Sequence, residues 1–304
     1  MSLHVFANFV TPFGTAANNR SETEGNITTL QKLLWMGETH STVSAEAIRF
    51  ALRRRLAGIE EQGTNRQWDE DDRNNVWRDS TFKGWKSEKG KTFIDDDLLG
   101  YMTAEAAKEE GEAGSANVRR AVLEVTRAVS LTPWAGDVTF NAASPGATPS
   151  AQKKGSNPVP YGTEVHATRY QYGIALTPER LRDKSRAAKA IDALCNLGTV
   201  AGNHGRFLFD FSPDAVVFRI TQDPAPRLLY CFETEDDGKT VVADSLVKRI
   251  ESGDVNKDEL IVGAADLSSP LAEQLQQLGI TPVGVKAACE DAVKRINSEL
   301  KSEG

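Results

Sequence analysis

The stretch THSTVSAEAIRFALRRRL, residues 39–56, decides how this chain is read. Ser44 is placed to cap the first turn of a helix, and Glu46 sits where the helix dipole favours a carboxylate. Ile48, Leu52, Leu56 and Ile59 recur at spacings of four, four and three and predict one buried stripe. Arg49 and Arg53 lie four apart on another face, with Arg54 and Arg55 beside them. Guanidinium groups at that density either bind phosphate or form a solvated face, and the pattern alone leaves both readings open. Only Glu46 offers local neutralisation. An apolar run, LHVFANFVT (3–11), reads as a preceding strand, followed by a polar loop with Asn18, Asn19 and Arg20.

The chain has 304 residues, 39% hydrophobic and 26% charged, enough for two modest domains or one with large insertions. No run approaches the ~20 apolar residues of a membrane span. No signal peptide is read at the N-terminus, so the expected compartment is cytoplasmic. Cys195, Cys231 and Cys289 are widely spaced and are expected to be reduced, buried thiols, with no disulfide frame or metal site. The overall charge of −7 conceals segregation: +2 over residues 1–59, −7 over 60–116, +6 over 117–206 and −8 over 207–304. Folding that joined the two basic segments would give one positive track.

Residues 60–116 look like an insertion. They are acidic, and a patch with Trp77, Arg78, Phe82, Lys83, Trp85, Lys86, Lys89 and Lys91 interrupts them. That patch is either a stacking platform for bases or a small subdomain core. YMTAEAAKEE (101–110) reads as a short helix. RRAVLEVTRAVSL (119–131) is β-favouring, and VHATRYQYGIAL (165–176) is a strand with Tyr170, Tyr172, Ile174 and Leu176 on one face. Between them GDVTFNAASPGATPSAQKKGSNPVPYGTE (136–164) reads as a long projecting hairpin. Thr177, Pro178 and Glu179 predict a helix start, continued by AAKAIDALCNLGTV (187–200). RFLFDF (206–211) and AVVFRIT (215–221) read as a strand pair, and RLLYCFE and ELIVGA as further strands. Stripped of insertions, the order is βαββαβ, the ferredoxin-like or RNA-recognition-motif arrangement, so the fold class is α+β.

Enzyme chemistry is sparse. There is no dinucleotide or Walker-type loop. His4, His40, His166 and His204 have no metal spacing, and Asp95, Asp96 and Asp97 read as a solvated acidic loop. GNHG (202–205), followed by Arg206, is either a backbone-clamping GxxG loop or a helix-ending glycine turn.

With these pieces in order, the chain resembles the DevR-type backbone subunit of the type I-B CRISPR Cascade surveillance complex. The resemblance rests on NNR (18–20) with VSAEAIRFALRR (43–54), on NPVPYGTEVHATRYQYGIALTPERLRD (157–183), and on GNHGRFLFDFSPDAVVFRIT (202–221). It implies a palm with the RNA-recognition-motif fold, assembled from 1–59, 117–135 and 165–304, the last with a C-terminal α/β extension. Residues 60–116 would be an inserted fingers region and 136–164 a projecting thumb hairpin. It implies a non-catalytic subunit that polymerises along a CRISPR RNA guide and presents it for pairing with target DNA. Asn19, Arg20, Ser44, Arg49 and Arg53 would hold guide phosphates, Phe140 would wedge against a displaced base, and His204 and Arg206 would touch the backbone. Implied partners are the guide, target DNA through it, further copies of the chain, and other Cascade subunits (the guide 5′-end cap, large and small subunits). Recruited nuclease-helicase or transposition factors complete that set; no catalytic residue, metal, cofactor or membrane is implied. Where some relatives carry a basic run, this chain has Glu38, Thr39 and His40. The enzyme alternative, a type III-like backbone endoribonuclease, uses an aspartate in the loop after the first strand. That loop here (12–28) holds Glu22 and Glu24 but no aspartate. A DNA-binding regulator would need base-reading residues on its helix, where this one offers mainly cations.

Overall fold

The sequence pattern resolves into an antiparallel α+β architecture in a computed structural model that describes residues 2–17, 23–105, 115–146, 152, 158–200, 208–235 and 238–302. An eight-stranded sheet forms the centre. Its strands are β1 (His4–Val10), β2 (Lys32–Trp35), β3 (Glu38–Val43), β4 (Leu123–Val125), β5 (Ala128–Ser130), β8 (Tyr170–Leu176), β9 (Ala215–Thr221) and β10 (Leu260–Ala264). A hairpin of β6 (Val138–Ala143) and β7 (Val159–Thr168) stands between β5 and β8 in the chain. The spatial order is β10-β9-β1-β8-β5-β3-β2, with β4 also paired to β8. Thus β1 lies centrally, Val5 opposite Leu176 on one side and Ile220 on the other.

Alternation along β1 explains why the sheet is covered on both faces. Val5, Ala7 and Phe9 face a core shared with α1 (Ala45–Leu56), α2 (Ile94–Leu99), α3 (Arg186–Cys195) and α6 (Val285–Ser302). Phe6 and Val10 face a second core under α4 (Asp244–Glu251) and α5 (Pro270–Gln277). Phe9 stacks on Tyr172 at 5.0 Å and meets Phe218 edge-on at 5.8 Å. The expected stripe of α1 is present: Ile48, Leu52 and Leu56 are buried and Ile59 packs beside them.

The β6–β7 hairpin pairs from Val138↔Glu164 to Ala143↔Val159. Its root is held where Glu164 accepts from Lys32 Nζ at 2.6 Å and from the Leu30 N–H at 2.7 Å, with Lys32 over the Trp134 ring.

Several expectations give way. Residues 101–105 are a strand paired with Ser115–Arg119, not a helix. The 177–179 helix start is only a 3-10 turn, Pro178–Arg180: Thr177 Oγ1 is engaged with His4 and Glu179 accepts from the Leu3 N–H. Leu208–Phe211 is not a strand; Leu208 has φ 45°, and Phe209 and Phe211 turn inward onto Tyr170 and Tyr172. RLLYCFE is broken by positive φ at Arg227 and Tyr230, and only Glu233–Thr234 is extended. Cys195 and Cys289 are not separate thiols: α3 packs on α6 and brings them into a disulfide with Cα atoms 6.4 Å apart. Cys231 is free and buried, as expected. Among the described residues no helix is long and apolar enough to cross a membrane.

Candidate nucleic-acid interface

Helix α1 opens where the sequence places its cap: Ser44 Oγ accepts from the Ala47 N–H at 3.2 Å. The four arginines then divide by partner. Arg49 donates to the Leu99 carbonyl, and Arg53 Nε donates to Asp95 Oδ2 at 3.2 Å. Burial lowers both guanidinium pKa values, and for Arg53 the Asp95 charge opposes that shift. Arg54 and Arg55 point to solvent and have no ion-pair partner among the described residues. Arg49 and Arg53, for which the family resemblance implies phosphate contacts, are therefore anchored in the protein, and Glu46 is not the sole neutraliser.

The neutralising groups come from the acid triplet, which is no solvated loop. Asp95, Asp96 and Asp97 are buried on α2. Asp95 also accepts from the backbone N–H groups of Asn65 (2.7 Å) and Arg66 (3.1 Å). Asp97 accepts from Arg119 at 2.7 Å and Arg186 at 3.0 Å, and from the N–H groups of Arg182 and Asp183. Arg186 continues to Glu60 at 2.9 Å, which Lys189 also meets. Asp96 accepts from the Asn65 side-chain amide at 2.9 Å; burial, then the neighbouring Asp95 charge, pushes its carboxyl up to about 7. Gly100 closes α2 at φ +66°, where a Cβ would stand 2.3 Å from the Arg119 carbonyl. The carboxylates of Asp95 and Asp97 thus face guanidinium and amide donors, and among the described residues no His, Cys, Asp or Glu group is arranged to hold a metal.

Beside α1 lies a cleft of about 1370 Å³. Its wall carries Arg54, Arg55, Arg66, Phe50 and Trp68, with Ser44 and Tyr170 on its lining. Phe50 and Trp68 meet edge-on at 6.4 Å, and Trp68 remains 40% exposed. Cations beside an accessible aromatic ring suit a phosphate backbone and a stacked base. Sequence reading misses Phe50, Arg66 and Trp68: Phe50 stands on α1 itself, and Arg66 and Trp68 stand on a local hairpin, Arg66–Asp69 paired with Asn74–Trp77, whose docking beside α1 no local periodicity reveals. The aromatic patch that it does single out is a core: Phe82 stacks on Tyr101 at 3.7 Å, and Arg119 covers Trp85 at 4.0 Å.

Phe140 is 80% exposed on β6, on the same face as Val138. Asn19, Arg20, His204 and Arg206 lie outside the described residues, as do Glu22 and the rest of the GNHG sequence (202–205). The cleft lining includes Ala17 and Thr199, just before the 18–22 and 201–207 segments.

Residues 11–198 match the family described as CRISPR-associated negative auto-regulator DevR/Csa2. The chain belongs to this DevR/Csa2 family. A CRISPR-associated protein Cas7/Cst2/DevR of Myxococcus xanthus is 62% identical over 304 residues, covering 99% of this chain and all of the relative. The DevR/Csa2 chain also shares its fold with chains of two solved assemblies. One, a CRISPR RNA-guided surveillance complex, gives TM-score 0.56 at 14% identity over 95% of this chain and 99% of the other. The second, described as pre-nicking, gives 0.60 at 14% identity over 96% and 99%.

Proposed function

We propose that this chain is a non-catalytic, CRISPR-RNA-binding backbone subunit of a type I-B Cascade-type complex. Repeated copies lie along the guide and present it for pairing with target DNA, in company with the guide 5′-end cap and the large and small subunits. The observation that carries this reading is the pair Arg54 and Arg55, free of internal ion-pair partners among the described residues and set beside Phe50 and Trp68 in the α1 cleft. Such a surface grips sugar-phosphate and stacks bases without reading their edges, as a protein needs when pairing reads sequence.

The strand order β9-β1-β8-β5, with α1 and α3 on one face, supports the RNA-recognition-motif palm; residues 60–116 serve as fingers and 136–164 as thumb. Within that frame Arg54 and Arg55 take the direct phosphate contacts, and Arg49 and Arg53 hold the helix that presents them. Ser44 borders the guide while capping the helix. Asn19, Arg20, His204 and Arg206 are proposed to extend the interface along the backbone, and Phe140 to wedge at the displaced base.

The test is whether purified protein carries a discrete RNA, seen as a high 260/280 absorbance ratio and a defined band. Complementary target bound to the assembly is expected to stay intact with magnesium or manganese. Protein free of RNA and unable to bind guide would overturn the reading. Regularly spaced cuts in complementary RNA, abolished by Glu24→Ala, would move the chain to the nuclease class.

A further inference from the structure

We propose that Cys195 and Cys289 are a reversible redox pair whose disulfide fixes one rim of the α1 cleft. Cys195 is the last residue of α3, and the bond fastens it to α6 across 94 residues of chain. The residues that follow it, Asn196, Leu197, Gly198 and Thr199, line the cleft. Leu197 is buried, and the Gly198 carbonyl accepts from the Phe211 N–H at 2.9 Å. The disulfide is therefore the covalent tie at the point where the rim leaves its helix.

The two sulfurs differ in access. Cys289 is 6% exposed, whereas Cys195 is only half-buried and can meet a small reagent. The oxidant is a low-molecular-weight disulfide such as oxidised glutathione. The Cys195 thiolate attacks one of its sulfurs, forming a mixed disulfide and expelling one glutathione thiolate. The Cys289 thiolate then attacks the Cys195 sulfur and expels the second. The two protein protons end on the two departing thiolates, and the two electrons reduce one glutathione disulfide to two thiols. Cys231 stands apart from this exchange: it is enclosed in the second core, where burial pushes its thiol up to about 12.

The functional part of this inference rests on the cleft's proposed RNA role, so the experiment reads redox state and rim separately from binding. The full chain is equilibrated in glutathione buffers of graded ratio, acid-quenched, denatured and alkylated. Oxidising buffer is expected to leave one alkylated cysteine, Cys231, and a mass lower by about 2 Da before alkylation; reducing buffer is expected to leave three. Backbone hydrogen exchange at 196–199 is expected to be ~10-fold faster in the reduced chain. Guide-length RNA is expected to bind the reduced chain severalfold more weakly. Reduction of the unaltered chain is the primary perturbation, and Cys289→Ser is expected to match the reduced chain in exchange at 196–199 and in RNA affinity. Three alkylated cysteines in every buffer, unchanged exchange at 196–199, or equal RNA affinity in both redox states overturns the inference. Absence of RNA binding from both states overturns the cleft's proposed role, while exchange still decides the rim.

Discussion

Arg53 and Asp95 are 42 residues apart in the chain and 3.2 Å apart in space. One stands on the helix that lines the cleft, the other on α2, which follows it in the chain. The ion pair is nearly dry, with 14% and 1% of the side chains exposed. Its first use is to position a helix, and that use is separable from RNA binding.

Asp95→Ala removes the partner of a buried guanidinium and the acceptor of two backbone N–H groups. A loss of about 3–5 kcal/mol in unfolding free energy is expected, because an uncompensated buried charge remains. Urea unfolding measures it; a change within error would show that water already serves Arg53.

Arg54→Ala with Arg55→Ala is expected to do the reverse. Both side chains are exposed and outside any ion pair among the described residues, so the unfolding midpoint should hold. RNA affinity should fall about equally for every sequence, and the slope of log K against log salt should shallow by roughly 0.7 for each phosphate that is no longer neutralised. An RNA titration at several salt concentrations shows whether slope and affinity move together.

Asp96 and His166 make opposite pH signatures. The Asp96 carboxyl is raised to about 7, first by burial and then by Asp95, so the folded chain holds a proton that the unfolded chain releases near pH 4. Its stabilising contribution is present in acid and is lost as pH rises toward 7. His166 is lowered to about 4, chiefly by burial, with its ring between Ser41 and Thr132. Its contribution is present above pH 6.5 and is lost as pH falls toward 4. The two partly cancel between pH 4 and 6.5. Asp96→Asn is expected to abolish the decline approaching pH 7 and to leave the His166 fall in acid fully visible. Urea midpoints taken at pH steps from 4.5 to 8 in both proteins test this, and parallel profiles would exclude Asp96.

Shortening the hairpin by replacing 142–158 with a Gly-Ser turn keeps the pairs from Val138↔Glu164 to Asn141↔Tyr161, the Lys32–Glu164 root and the Val165–Thr168 pairing with Gly14–Ala17. The thermal midpoint is expected to move by under ~2 °C, since little core is removed. Electron microscopy of the protein with guide should nonetheless show no guide-length filament. Phe140→Ala, at a position 80% exposed, should be equally neutral for folding. Normal filaments from the shortened chain would withdraw the thumb assignment.

The parts of the fold legible in sequence are those whose reasons are local. The α1 stripe with its Ser44 cap, AVVFRIT and ELIVGA follow from periodicity and capping. The acid triplet misleads because its partners, Arg53, Arg119 and Arg186, lie far away along the chain, and composition alone makes three aspartates look solvated. The Thr177–Pro178–Glu179 signal misleads for the same reason, since its cap and acid serve His4 and Leu3. In the site, spacing leaves the arginine face open between phosphate and solvent, because it reports which side chains share a face, not which of them already has a partner.

The acid triplet lies within residues 60–116, yet its guanidinium partners all come from outside that stretch: Arg53 from before it, Arg119 from just after it, Arg186 from beyond the β6–β7 hairpin. That distribution makes residues 60–116 a poor exchange cassette. A chimera carrying a relative's 60–116 with uncharged residues at 60, 95 and 97 would strand Arg53, Arg119 and Arg186 at once. Divergence there is therefore tied to matching change in distant parts of the same chain, and a working swap has to bring its arginines with it.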